Sequence, residues 1–197
     1  MAVHNQEKKG IGYFVSIAVD DFVFIGGAMV TDNFGLPIEF RYTEPVRANR
    51  LQRVLYGDVL ERFIHTDVIL TNLLERMEQR PSLIIVNNDA FVKSVNAKGS
   101  IGVWLSETRV PRLPNTGDIQ SVAADEFLAQ LSDSGSPARL RTDASVTAEA
   151  QQEISGQLAE LTKTMDIAEP LRRIEAAIKL IWEESPENAL VPEVVGR

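Results

Sequence analysis

Four groups of side chains in this sequence have types and spacings that could do chemistry. The first is acidic: Asp20 and Asp21 close one apolar run, Asp58 and Glu61 lie three apart in a helical pattern, and Asp89 follows a second apolar run. Carboxylates brought from strands and a helix can share Mg2+ or Mn2+, and such ions activate water for phosphodiester cleavage. The second is basic: Arg41, Arg47, Arg50 and Arg53 cluster where a strand hands over to a helix. Guanidinium groups beside a helix start favour phosphate or carboxylate, although salt bridges to Glu44 or Asp58 would use the same residues. The third is Asn87-Asn88-Asp89, at the carboxyl end of an apolar strand, where open α/β sheets bind ligands and where a plain helix cap would also use these types. The fourth is apolar: Ile167, Leu171, Ile174, Ile178 and Ile181 recur at spacings of 4, 3, 4 and 3, with Trp182 beside them. Such a narrow seam needs a partner surface, in the same molecule or another.

Composition removes several alternatives. With no cysteine there is no disulfide, thiolate zinc site, iron–sulfur cluster or cysteine nucleophile. Two histidines, His4 and His65, rule out an all-histidine metal site, and a Ser-His-Asp triad would have to use His65. The net charge of −8 is uneven: residues 1–110 carry 12 Lys and Arg against 13 Asp and Glu, and residues 111–197 carry 8 against 15. An acidic chain is not a general nucleic-acid binder, although a local basic patch survives that argument. No run approaches the ~20 apolar residues of a membrane span, and MAVHNQEKK has no apolar signal core, which reads as a cytoplasmic protein.

These groups must be positioned by the elements around them. GYFVSIAV, FVFIGGAMVT and PIEFRY alternate as three strands, about 12–19, 22–31 and 37–43, separated by Asp20-Asp21 and by the turn Asp32-Asn33-Phe34-Gly35. Gly26-Gly27 inside the second strand suggests a bulge or the close approach of a helix, ligand or neighbouring chain, with helix packing the simplest cause. Asn49 is placed as an N-cap, Gly57 as a kink, and Thr66-Asp67 as the cap of a second helical segment that stops by Arg80-Pro81. SLIIV then reads as a buried strand and IGVWL as a fifth, with a short helix at Phe91–Val95 between them.

The predicted fold is therefore α/β, with α+β as the alternative: a mixed sheet opening with a three-strand antiparallel meander, in the order β-β-β-α-β-(α)-β. Residues 10–110 form this domain, 111–145 a Pro- and Gly-rich linker with a short helix at Phe127, Leu128 and Leu131, 146–184 amphipathic helices, and 185–197 a tail.

Three meander strands, then a helix, then a strand followed by an acid in IIVNNDAFVKSVN resembles the opening of the ribonuclease H-like fold over about residues 12–95. That resemblance implies carboxylates around a divalent metal, drawn here from Asp20, Asp21, Glu61 and Asp89. The chain departs from the pattern in lacking an Asp in the middle of the first strand and an identifiable acid on a later helix.

The leading expectation is a non-catalytic cytoplasmic protein without a cofactor, acting by protein–protein contact through Ile167, Leu171, Ile174, Ile178, Ile181 and Trp182 as a self-associating or accessory subunit. The alternative is a divergent ribonuclease H-like, Mg2+- or Mn2+-dependent phosphodiesterase or nucleic-acid binder. A sensor of anions or phosphorylated ligands, using Arg41, Arg47, Arg50 and Arg53, is the third.

Overall fold

The structure is a computed structural model that describes residues 10–185. Its centre is the pair β1 (Ile11–Asp20) and β2 (Val23–Thr31), antiparallel and buried along most of their length because both faces are apolar. The Asp20–Phe22 connection is tight enough to hold Phe22 at φ 57°. Strand β3 (Pro37–Tyr42) pairs with β2 and forms one edge, and the two-residue β4 (Val46–Arg47) continues that pairing beside Val23 and Phe24.

On the other side of β1, the short apolar runs become β5 (Leu83–Val86), parallel to β1, and β6 (Ile101–Ser106), parallel to β5. The expected mixed α/β sheet with its opening meander is present. It is also larger than expected. Residues 119–141 form β7 (Ile119–Ala123), β8 (Glu126–Ala129) and β9 (Ala138–Arg141), which extend the sheet from β6 in the order β9, β8, β7. A linker with a short helix was expected there. Phe127 and Leu128 instead lie in a four-residue strand buried on both faces, so their adjacency reflects a central strand rather than a helical stripe.

Two helical layers cover the sheet. On one face, α1 (Arg50–Tyr56), α2 (Leu60–Phe63) and α3 (Thr71–Arg76) form an almost continuous helical path, with a 3-10 turn at Gly57–Val59 and a π-helical run at Ile64–Leu70. Asn49 caps α1 through a reciprocal box with Gln52, and Gly57 breaks it with φ 51°. The helix does not restart at Thr66-Asp67. The Thr66 hydroxyl donates to the Arg62 carbonyl at 2.7 Å, inside the π run. The short α4 (Val92–Asn96) completes this layer against β6.

On the opposite face lie α5 (Ala148–Thr162) and α6 (Glu169–Glu183). The paired glycines decide how closely both layers approach. A Cβ on Gly26 would stand 2.1 Å from Ile69 Cγ2, and one on Gly27 would stand 2.7 Å from Ile174 Cγ2. Each glycine thus admits one helix, on opposite faces of the same strand.

Candidate functional site at the carboxyl end of the parallel strands

Strands β1, β5 and β6 run in the same direction, so their carboxyl ends meet at one rim of the sheet, the usual ligand crevice of an open α/β sheet. Ser16, the one polar residue in the apolar centre of β1, points to the face covered by the π run. Its Oγ lies 2.7 Å from His65 Nδ1 and 3.4 Å from the Ile25 carbonyl. Asn87, just past β5, closes the other side: its Oδ1 accepts the Ser16 N–H at 3.3 Å and its Nδ2 donates to the Ser16 carbonyl at 3.4 Å. In this way Asn87 extends the β1–β5 pairing with a side chain where the strand itself has ended.

His65 is held between the Phe24 and Phe91 rings, with centroids 5.0 and 5.8 Å away. Burial lowers its pKa below the ordinary imidazole value, and the Glu61 carboxylate one turn earlier only partly opposes this. The ring is therefore neutral at neutral pH. The cluster is uncharged, and Ser16 is buried. A π-helical run often marks a functional site because it redirects side chains out of the regular helical array. Here it carries His65 to β1.

The four acids expected to gather around metal are spread out by their local roles. Asp20 Oδ1 accepts the Asp21 N–H at 2.7 Å in the β1–β2 turn. Glu61 is exposed on α2. Asp89 opens the 3-10 turn after β5 and pairs with Arg141. Among the described residues, no three His, Asp or Glu side chains group closely enough to hold a metal ion. The four acids therefore do not form the shared carboxylate site that the resemblance implied.

The arginines divide. Arg41 bonds Glu39 and Glu78, each at 2.8 Å, while Glu39 also accepts the Glu78 and Gln79 N–H groups. This arrangement ties β3 to the chain after α3 and holds the Glu39 carboxyl below its usual pKa; its burial acts in the opposite direction, and the bonds from Gln79, Arg41 and Glu78 outweigh it. Arg47, Arg50 and Arg53 lie together elsewhere, exposed on β4 and α1. The Arg53 guanidinium covers the Phe22 ring at 4.3 Å from its centroid, at the carboxyl end of β1. Among the described residues, none of Arg47, Arg50 and Arg53 has an ion-pair partner.

Across the same rim, the sequence analysis missed a second polar group. Glu126, at the start of the buried β8, accepts from Arg139 and Arg141, each at 2.7 Å, and Arg141 reaches on to Asp89 and stands 5.9 Å from the Trp104 ring. The only sequence signal was the Arg139–Arg141 alternation, two residues apart on one strand face.

The apolar seam lies inside the molecule. Ile167, Ile174, Ile178 and Trp182 are buried in the core formed with β1 and β2, and Leu171 packs on its margin; Ile181 is partly exposed. His4 and the tail from residue 186 onward lie outside the described residues.

No protein-family model matches the sequence, and no curated protein matches it. The fold, by contrast, has clear likenesses among solved structures. An endonuclease V from Ciona intestinalis, in complex with a 24mer DNA containing an inosine followed by a ribo-adenosine, superposes with a TM-score of 0.54 at 7% identity, over 90% of this chain and 87% of that one. Its D234N form, with a 23mer DNA of the same kind, gives 0.55 at 9% identity over 90% and 86%. At such identities the likeness is one of fold.

These neighbours correct the leading expectation from sequence. They are nucleases rather than accessory subunits, and they agree better with the ribonuclease H-like alternative than with a non-catalytic protein working through protein–protein contact. The physical ground for that expectation has gone as well, because most of the seam that was to meet a partner faces the sheet of its own chain. Among the described residues, no helix is long and apolar enough to cross a membrane.

Proposed function

We propose that this chain is a nucleic-acid-binding protein of ribonuclease H-like architecture, which takes the phosphate backbone along the rim at the carboxyl ends of β1, β5 and β6. The observation that carries the reading is the exposed group Arg47, Arg50 and Arg53, none of whose three guanidiniums has an ion-pair partner among the described residues. It lies on an otherwise acidic chain, at the rim where this fold binds ligands. The endonuclease V structures of the same fold hold DNA, which supports nucleic acid as the ligand class.

The chemistry of the contact is ion pairing and hydrogen bonding to phosphate. Guanidinium groups present forked N–H donors that match phosphate oxygens, and their charge displaces condensed counterions. Arg53 is pre-positioned by the Phe22 ring, so less side-chain freedom is lost when it engages. The acidity of the C-terminal part leaves this patch as a local rather than a general attraction.

The test is fluorescence anisotropy with labelled single-stranded DNA, single-stranded RNA and duplex DNA of one sequence. The unmodified chain is expected to bind with an affinity that falls with salt. Replacing Arg47 and Arg50 together by Ala should weaken binding and lower the logarithmic salt slope by about 2, roughly one per lost phosphate contact. Binding that is unchanged in the double variant would refute the assignment of this rim.

A further inference from the structure

Resting on that reading, we infer that the rim binds nucleic acid without a divalent metal ion, because the neutral cluster Ser16–His65–Asn87 stands where metal-assisted phosphodiester chemistry would need carboxylates. The position is defined by three elements at once. Ser16 is in the middle of β1, His65 is on the helix that covers it, and Asn87 is the first residue past β5. Hydrogen bonds of 2.7, 3.3 and 3.4 Å link the three. Carboxylates on a strand, a helix and a strand end, brought this close, would make a divalent-cation site. The side chains present are a hydroxyl, an imidazole and an amide.

None of them is left open to an ion. The two Asn87 bonds are spent on the Ser16 backbone, the hydroxyl is taken by His65 or the Ile25 carbonyl, and the imidazole is enclosed by Phe24 and Phe91. A hard cation there would face neutral donors and aromatic edges, whereas Mg2+ dehydrates reluctantly and is usually held by one or two carboxylates. Of the acids around the cluster, Asp89 is paired with Arg141, and Glu61, whose charge reaches His65, is a single exposed carboxylate on α2. The cluster consequently acts as a neutral clasp that fixes the π run against the ends of β1 and β5 and so shapes the rim.

Two measurements on the full chain separate this inference from the binding assignment beneath it. In the first, oligonucleotide affinity is compared in EDTA and in millimolar MgCl2 or MnCl2 at matched ionic strength. Equal dissociation constants are expected, and binding that appears only with metal, or tightens about tenfold or more, overturns the inference while leaving the rim intact. Absence of binding in every condition would instead refute the rim. In the second, thermal unfolding is followed with MnCl2 alone. The unmodified chain should show no stabilising shift, and a saturable upward shift overturns the inference whatever the oligonucleotide does. The double variant Ser16→Asp, Asn87→Asp places two carboxylates at the cluster, and a saturable Mn2+ shift gained by it would confirm that only side-chain identity withholds the metal.

Discussion

Helices α1 and α6 are both amphipathic in sequence, and they end in opposite environments. In α6, Ile174 and Ile178 are 1% and 0% exposed, seated on β2 where Gly27 opens the strand. In α1, no residue is buried: Leu51, Val54 and Leu55 are 65%, 75% and 70% exposed. Both show apolar residues three and four apart, so periodicity does not separate them. The difference lies in the surface each meets. Gly27 offers α6 a flat strand at close range, whereas Gly57, at φ 51°, breaks the helical path and turns α1 off the sheet edge. Beyond that break the path resumes and packs, with Leu60, Ile64, Ile69 and Leu70 all buried.

This contrast can be broken experimentally. Ile178→Ala in α6 should cost about 2–5 kcal/mol of unfolding free energy in a denaturant titration, since it removes transfer energy and leaves a cavity at a fully buried site. Gly26→Ala, on the other face of β2, should cost about 1–3 kcal/mol, because its Cβ would collide with Ile69 and the π run would have to withdraw. Leu55→Ala in α1 should change stability by no more than about 0.5 kcal/mol. A loss above 2 kcal/mol at Leu55 would mean that α1 is covered in solution and that the contrast is false.

The pH dependence gives a smaller effect on the same layer. His65 is depressed below its ordinary value of 6.5 by burial, with Glu61 opposing. The unfolded chain therefore takes up a proton on this ring before the folded chain does, so stability falls as pH drops below about 6.5 and levels off below the folded value. His65→Gln should remove that part of the slope between about pH 7.5 and 5.5, where carboxylates contribute little. An identical slope in the variant would place His65 in a solvent-like setting, contrary to its contacts with Ser16, Phe24 and Phe91.

Much of the fold was legible because its central strands are uninterrupted apolar runs bounded by turn residues. GYFVSIAV, FVFIGGAMVT and SLIIV each sit within a strand, or one residue from its ends, and the Asn49 cap and the Gly57 break follow from local chemistry alone. Strands β7, β8 and β9 were not legible. They are four or five residues long, lie between and beside Pro- and Gly-containing loops at 107–118 and 130–137, and only β8 is fully buried, between β7 and the β9 strand that pairs with β6. Glu126 illustrates the point: a charged residue argues against a buried strand until Arg139 and Arg141, 13 and 15 residues later, neutralise it.

The candidate site was legible only in parts. Asn87 and the arginines were visible as residue types, although Arg41 pairs with Glu39 and Glu78 apart from the other three, and Ser16 acquires meaning only beside His65, 49 residues away. The acids misled because each has a local use, in a turn, on an exposed helix face or in an ion pair, and spacing in sequence does not register such uses. The seam at Ile167–Trp182 misled for the converse reason. A helix that needs an apolar partner carries no mark of whether that partner is its own sheet.

The most direct test of the account is the affinity of the full chain for a labelled oligonucleotide, measured across a salt series for the unmodified protein and for Arg47→Ala, Arg50→Ala. The account predicts binding that weakens with salt, and a double variant whose affinity and salt slope are both reduced, the slope by about 2. Equal affinity and equal slope in the two proteins would contradict it.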